Sequence, residues 1–320
     1  MADKIERDRT VPDEMMGWRL DQAAAELFSE FSRQRLKQWI NEQALLCNGA
    51  PAKPKSKVQG GESLIINAEL APQGDWTPEA IELDIRFEDD SVLVINKPSG
   101  LVVHPAAGNY DGTLLNALIH HCPSLTQLPR AGIVHRLDKL TTGLMVVAKT
   151  LQAQTSLVEQ LQSKTVTREY DAIVNGPMIA GGHVDQPIGR HPKDRKRQAV
   201  VSAGKPAVTH YRVQERFRGH THVRCRLETG RTHQIRVHMA HVHHPLVGDP
   251  VYGGRLKQVA GASDALKEAL RGFNRQALHA RRLSFEHPDH GEPVTIEAEL
   301  PDDMQILLHH LRTDTEEYAS

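Results

Sequence analysis

From Thr221 to Glu228 apolar and polar residues alternate, with Val223, Cys225 and Leu227 on one face and His222, Arg224, Arg226 and Glu228 on the other, the pattern of a half-buried strand. Gly230 ends it, and Thr232 is placed to cap a helix in which Ile235, Met239 and Val242 fall at i, i+4 and i+7, although alternation fits part of that stretch too. Near the start of the chain Leu20, Ala23, Ala24 and Leu27 recur at helical spacing, and Ser32 is suited to cap a second helix containing Leu36, Trp39 and Ile40. Short strands follow at 44–47, closed by the Asn48-Gly49 turn, and at 63–66, introduced by Gly60-Gly61. Further strands are predicted at 85–87 and 92–96, with Lys97-Pro98-Ser99-Gly100 as a turn and 101–103 as a return strand, and again at 166–174. In that turn Pro98 and Gly100 set the backbone, while Lys97 reads as a surface residue. Strands interspersed with helices, without internal repeats, imply an α+β fold on a mixed, largely antiparallel sheet.

At 320 residues the chain has room for two domains. The stretch 68–79, with Pro72, Gly74 and Pro78, has a linker's composition. The expected organisation is a flexible tail over 1–16, a compact module over 17–67, a linker over 68–80, a larger domain over 81–312 and an acidic tail over 313–320. The opening MADKIERDRT lacks the apolar stretch of a secretory signal, and no run approaches the ~18 apolar residues of a membrane span, so the expected setting is the cytoplasm. Cys47, Cys122 and Cys225 lie far apart without a CxxC pair and read as reduced thiols.

A net charge of −1 argues only weakly against a nucleic-acid partner, because the distribution of charge decides. Seven arginines (212, 216, 218, 224, 226, 231 and 236) stand against Glu215 and Glu228 in the stretch 212–236. A second basic cluster gathers Arg190, Lys193, Arg195, Lys196 and Arg197, and acids collect elsewhere, as at Asp89-Asp90 and Asp302-Asp303. Arginine so outnumbering lysine suits phosphate and base contacts. The competing reading is an ordinary solvated surface.

Residues 135–150, HRLDKLTTGLMVVAKT, set Asp138 among His135, Arg136 and Lys139, just before an apolar strand. Neighbouring positive charge favours the ionised carboxylate, which can attack carbon. A solvated turn whose charges merely pair fits the same local string. The string resembles the HRLDKxTxG active-site motif of the RluA-type pseudouridine synthases, although Leu140 stands where family members usually carry an acid. INKPSGLVVHP, REYDAIV, LETGRTHQIRVHM and LHARRLSFEHP resemble further family segments, and the likeness spans roughly 17–310. The 17–66 module, with Arg19-Leu20-Asp21 and Cys47-Asn48-Gly49, resembles the S4 RNA-binding domain.

The resemblance implies an S4-like domain followed by a pseudouridine synthase domain, with uridine flipped from its stack and isomerised. It implies Asp138 as nucleophile, Tyr170 against the flipped base, and Arg236 paired with the nucleophile. It places His135, Arg136, Arg168 and Arg231 in contact with RNA, with Arg33, Arg35 and Lys37 decorating the second S4 helix, and Leu283 with Phe285 completing the pocket wall or the sheet. The implied partner is large-subunit rRNA or the assembling 50S particle, with the helix 69 stem-loop of 23S rRNA as target, in a monomeric enzyme that needs neither metal nor cofactor. Alternatives are a pseudouridine synthase for other rRNA sites or for tRNA, and a noncatalytic S4-type ribosome-assembly factor. Two rival signals are weaker: the histidines at 233, 238, 241, 243 and 244 lack an HExxH pattern, and Gly143 to Thr150 has the apolar interior of a strand rather than a phosphate loop.

Overall fold

The computed structural model describes residues 4–29, 31, 33–69, 76–105, 109–194, 197–254 and 259–319. The expected helix cap Ser32, the linker residues Pro72 and Gly74, and Arg195 and Lys196 lie outside the described residues.

The N-terminal module packs α1 (Leu20–Leu27) and α2 (Arg33–Asn41) with a three-stranded sheet, β1 (Lys4–Thr10), β2 (Leu45–Cys47) and β3 (Ser63–Glu69), in the order β1-β3-β2. Helical spacing buries Leu20, Ala23 and Ala24 on one helix and Leu36, Trp39 and Ile40 on the other. The expected tail is instead structured from Lys4: β1 pairs with β3 over its whole length. Its side chains are mostly charged, so main-chain bonding, which leaves no apolar alternation to read, makes the strand. Ala68, expected in the linker, is buried in β3. At the linker's far end Asn116 Nδ2 donates to the Thr77 carbonyl at 2.8 Å.

Among the described residues the larger domain is built on a nine-stranded sheet. Its strands are β4 (Ile85–Glu88), β5 (Val92–Lys97), β6 (Thr142–Ala148), β7 (Thr167–Asn175) and β8 (Gly182–Asp185), then β11 (Val208–Arg216), β12 (His220–Leu227), β13 (Leu278–Glu286) and β14 (Pro293–Glu297). A separate hairpin joins β9 (Ile188–Arg190) to β10 (Gln198–Val200). The order is β4-β5-β6-β13-β7-β12-β11-β8, with β14 beside β13 and only β6 and β13 parallel. The helices are α3 (Leu114–His121), α4 (Leu151–Gln162), α5 (Gln234–His241), α6 (Asp264–Gly272) and α7 (Asp302–Ala319). All seven residues of β6 are buried. Their alternation sends Leu144, Val146 and Ala148 against Ala153 and Leu157 of α4, and Met145 and Val147 into the core that holds Leu114 and Leu118 of α3.

Several expectations are corrected. Residues 101–103 form no return strand; Val102 makes one isolated bridge to Thr113, in a segment whose chain is already turning toward α3. The acidic end continues α7, because Asp314 is buried and accepts hydrogen bonds from Arg218 Nη1 at 3.1 Å and the Ser263 amide at 2.9 Å. The arginines of 212–236 do not make one basic face: Arg216, Arg218, Arg224 and Arg236 hydrogen-bond within the fold. Arg212, Arg216, Arg226 and Arg231 are exposed, Arg231 with its Nε donating to the Pro206 carbonyl at 3.1 Å. Gly143 closes the approach to β6. Its φ is +115°, and a β-carbon there would sit 2.3 Å from the Ala280 carbonyl oxygen, so only glycine fits where β6 begins to run beside β13.

Candidate active site

The segment leading to Asp138 is shaped by three successive left-handed residues, Arg130, Ala131 and Gly132. A β-carbon on Gly132 would lie 1.9 Å from the Ala148 carbonyl oxygen, which presses this turn against β6. Ile133 then bridges Val147, and the Val146 amide donates to His135 Nε2 at 3.1 Å. Burial pulls His135 down to about 3, so its ring is neutral and serves as an acceptor that fixes the loop. On the far side of Asp138, the Thr141 amide donates to the Asp138 carbonyl at 3.0 Å, closing a turn.

Lys97, expected at the surface, is completely buried beneath this turn. Its Nζ donates to the carbonyls of Pro98, Leu101 and Lys139 at 2.8, 3.0 and 3.1 Å, tying the 97–101 loop to the residue after Asp138. Burial draws its ammonium down to about 7, against the attraction of the Asp138 carboxylate. Three carbonyls match three ammonium protons and also act against that loss of charge.

A cleft of about 580 Å³ brings together His135, Arg136, Asp138, Arg168, Tyr170, Arg231 and Arg236. Tyr170 stands in the middle of the sheet, opposite Cys225 on β12 and Ala280 on β13. It is buried on the cleft side, and burial raises its phenol above the ordinary range, so the hydroxyl keeps its proton. Arg136 and Arg231 are exposed at the cleft, whereas Arg168 is buried in its wall beside Gly230. Leu278 lines the cleft, whereas Leu283 and Phe285 pack in the core shared with α4. The bulge between Ala280 and Arg282 in β13 separates these segments.

The centre of the cleft is a chain of three buried or half-buried charges. Arg236 Nη1 donates to Asp138 Oδ2 at 2.8 Å, while its Nε and Nη2 grip Asp249 Oδ2 and Oδ1 at 2.7 and 2.9 Å. Burial opposes the charge on Arg236, but Asp249 and Asp138 outweigh it and raise its pKa above the ordinary value. Burial likewise opposes the Asp249 carboxylate, and Arg236 with the amides of Val251 and Tyr252 holds its pKa low. No motif in the sequence singles out Asp249. A bidentate partner for Arg236 has no local signature, since Asp249 lies thirteen positions further on, beyond the end of α5.

Two further residues escaped the sequence. His233 lies 3.9 Å from Asp138 through Nε2 and 2.9 Å from the Tyr252 hydroxyl through Nδ1. The expected cap Thr232 does not cap α5: His233 occupies the cap position with a left-handed φ of 57° and no capping bond. Gln234 satisfies the turn instead, its Oε1 accepting from the Arg231 amide and from Thr229 Oγ1. The histidine-rich segment is dispersed in its contacts, with His238 on Thr209 and the Gln186 carbonyl and His244 on the Asn175 carbonyl. Among the described residues no group of three or more His, Cys, Asp or Glu is arranged to hold a metal ion.

The S4-like residues lie apart from the cleft lining. Arg33 and Arg19 pair with buried Asp21, whose carboxyl they hold below its usual range against burial. Arg35, expected to decorate the surface, is buried with its guanidinium 5.9 Å from the Trp39 ring centroid, because its helical position turns it inward. Lys37 is exposed, as are Lys53, Lys55 and Lys57.

Residues 91–241 match the RNA pseudouridylate synthase family and residues 18–64 the S4 domain. A Vibrio parahaemolyticus protein named ribosomal large subunit pseudouridine synthase D is 58% identical over 320 residues, covering 100% of this chain and 98% of its own. A Yersinia pestis protein of the same name is 56% identical, covering 99% and 98%. Among solved structures, human RNA pseudouridylate synthase domain containing 4 aligns with a TM-score of 0.57 and 29% identity, covering 71% of this chain and 92% of its own.

The charge chain predicts strong energetic coupling. Arg236→Ala and Asp249→Ala should each cost about 3–5 kcal/mol, by leaving a buried charge without its partner. In urea unfolding the double variant should lose at least about 1 kcal/mol less than the sum of the two; additive losses would contradict a shared contact.

Proposed function

The chain belongs to the RNA pseudouridylate synthase family, and from that premise we propose that it isomerises uridines of 23S rRNA, in the helix 69 stem-loop, with Asp138 as nucleophile. The observation that carries this reading is one carboxylate, Asp138, in a cleft, fixed by Arg236 and overlooked by a buried tyrosine. The names of the relatives support large-subunit rRNA as substrate.

The reaction breaks the bond from N1 of uracil to C1′ of ribose, turns the base, joins C5 to C1′ and transfers the C5 hydrogen as a proton, with N1 ending protonated. No electrons are gained or lost. Asp138 faces the ribose as an anion, suited to attack at C1′ or to an elimination at the sugar. Tyr170 offers an aromatic face to hold the detached uracil. Arg136 and Arg231 stand exposed at the cleft as cations suited to phosphate, with Arg168 buried in its wall, while a flipped base is held by hydrogen bonds to its edge and by stacking. The N-terminal module adds Lys37, Lys53 and Lys55 as a second, sequence-independent hold on the RNA. This work is cytoplasmic, on the assembling large subunit, by a monomer; among the described residues no helix is long and apolar enough to cross a membrane.

Asp138→Asn, which nearly preserves shape, should abolish single-turnover pseudouridine formation while leaving RNA affinity within about threefold, since binding is spread over many basic contacts. Normal conversion by a variant shown free of wild-type protein and of deamidation would overturn the nucleophile assignment. Pseudouridine mapping in rRNA from a deletion strain tests the target: the helix 69 uridines should be unmodified.

Replacing Lys37, Lys53 and Lys55 together by Gln should weaken rRNA binding and flatten the slope of log affinity against log salt by about 2–3, at about 0.7–0.9 per lost phosphate contact. An unchanged slope would remove the module from the RNA interface.

A further inference from the structure

The loop after α5 and the β9–β10 hairpin converge on one imidazole that the charge chain does not use. The Gln198 amide, at the start of β10, donates to the Tyr252 hydroxyl oxygen at 2.9 Å, and that oxygen lies 2.9 Å from His233 Nδ1. A phenol oxygen that accepts from an amide still has one proton to give. The acceptor in reach is Nδ1, so in the neutral ring the proton sits on Nε2. Nε2 in turn faces Asp138 Oδ1 at 3.9 Å, while Arg236 holds the other oxygen, Oδ2.

We propose that His233 is a positioning residue for Asp138: Tyr252 fixes it as the Nε2–H tautomer, so that an imidazole N–H and the Arg236 guanidinium approach opposite oxygens of one carboxylate. The inference rests on the reading of Asp138 as the reacting group. Once the His233 contact closes to hydrogen-bond length, both oxygens are held and rotation of the carboxylate plane is restrained, which a single contact to Arg236 leaves free. The opposite tautomer would turn a lone pair toward the anion and push it away. At 3.9 Å the contact is too long for a hydrogen bond, and such contacts tighten when substrate fills a site.

The backbone supports the assignment. His233 adopts a left-handed φ of 57° at the start of α5 without providing a cap, a conformation that is strained for a non-glycine residue. That geometry places the ring between Tyr252 and Asp138. The charged and titratable groups around it are Asp138 and Arg136 from the loop before β6, Arg236 from α5, and Asp249 and Tyr252 from the loop after α5. Burial disfavours the imidazolium, the two carboxylates favour it and the two arginines oppose it; the net lowering keeps the ring neutral near pH 7, the state in which a tautomer matters.

The test is made on full-length protein labelled with ¹⁵N-histidine. A long-range proton–nitrogen correlation spectrum, with the His233 signals identified by their loss in His233→Gln, should show Nε2 protonated in the wild type and a mixture of tautomers in Tyr252→Phe. At saturating RNA, single-turnover pseudouridine formation should fall roughly 10- to 100-fold in His233→Ala, with dissociation constants for RNA unchanged. His233→Gln, whose amide can present an N–H to Asp138, should recover part of that loss, and the near-isosteric Tyr252→Phe should slow the step without disturbing the fold. A wild-type His233 protonated on Nδ1, or His233→Ala and Tyr252→Phe proteins turning over at the wild-type rate, would overturn the proposal. Wild-type protein that leaves the same RNA unmodified would instead overturn the functional reading, and the tautomer spectrum would still decide the arrangement at His233.

Discussion

Three carboxylate-bound donors on one guanidinium organise the cleft. Arg236 spends two of its contacts on Asp249 and one on Asp138, so the residue that neutralises the candidate nucleophile is itself held rigid by a second anion. Asp249 is in turn immobilised by the amides of Val251 and Tyr252. The arrangement sets the position of Asp138 through backbone that lies on the other side of α5. It also divides one positive charge between two anions, so Asp138 is oriented without being fully neutralised. A lysine in the same place offers a single charged centre and cannot fork between two carboxylates.

The second support is Lys97. Its ammonium holds together the two loops that meet under Asp138 by bonding to three carbonyls, and it brings a second positive charge within reach of the Asp138 carboxylate. Two carboxylates, Asp138 and Asp249, thus share their surroundings with the full charge of Arg236 and with Lys97, whose ammonium is only partly charged near pH 7. Near balance is what such a buried cluster requires, since an unpaired charge in low dielectric costs several kcal/mol. Tyr170 and Leu278 provide the apolar wall from adjacent strands, with the flanking arginines at the cleft.

Much of this was legible in the sequence. Alternation located β12, the apolar run located β6, and the family resemblance implied Tyr170 and Arg236 as companions of Asp138; the structure brings all three into one cleft. What remained hidden depends on pairing across the fold. β1 is charged and gains its place through main-chain bonds to β3. Lys97 and Arg35 are charged types that reading by residue class sends to the surface, yet the first finds three carbonyls and the second an aromatic ring. The arginines of 212–236 read as a basic cluster suited to RNA, but Arg224, Arg218 and Arg236 have carboxylate partners, Asp171, Asp314 and Asp249, on other elements. The His233–Tyr252 contact spans a helix and a turn, and neither residue has a periodicity to betray it.

The claim that matters most is that Arg236 acts as a fork between two carboxylates, beyond supplying positive charge. Single-turnover pseudouridine formation by Arg236→Lys, on RNA containing the helix 69 stem-loop at saturating protein, tests it directly. The account predicts that a folded Arg236→Lys protein binds RNA normally and yet loses at least about 100-fold in rate, because a misplaced reacting group is costly even when its charge partner is kept. A rate within a few-fold of the wild type would show that charge alone suffices and would contradict the account.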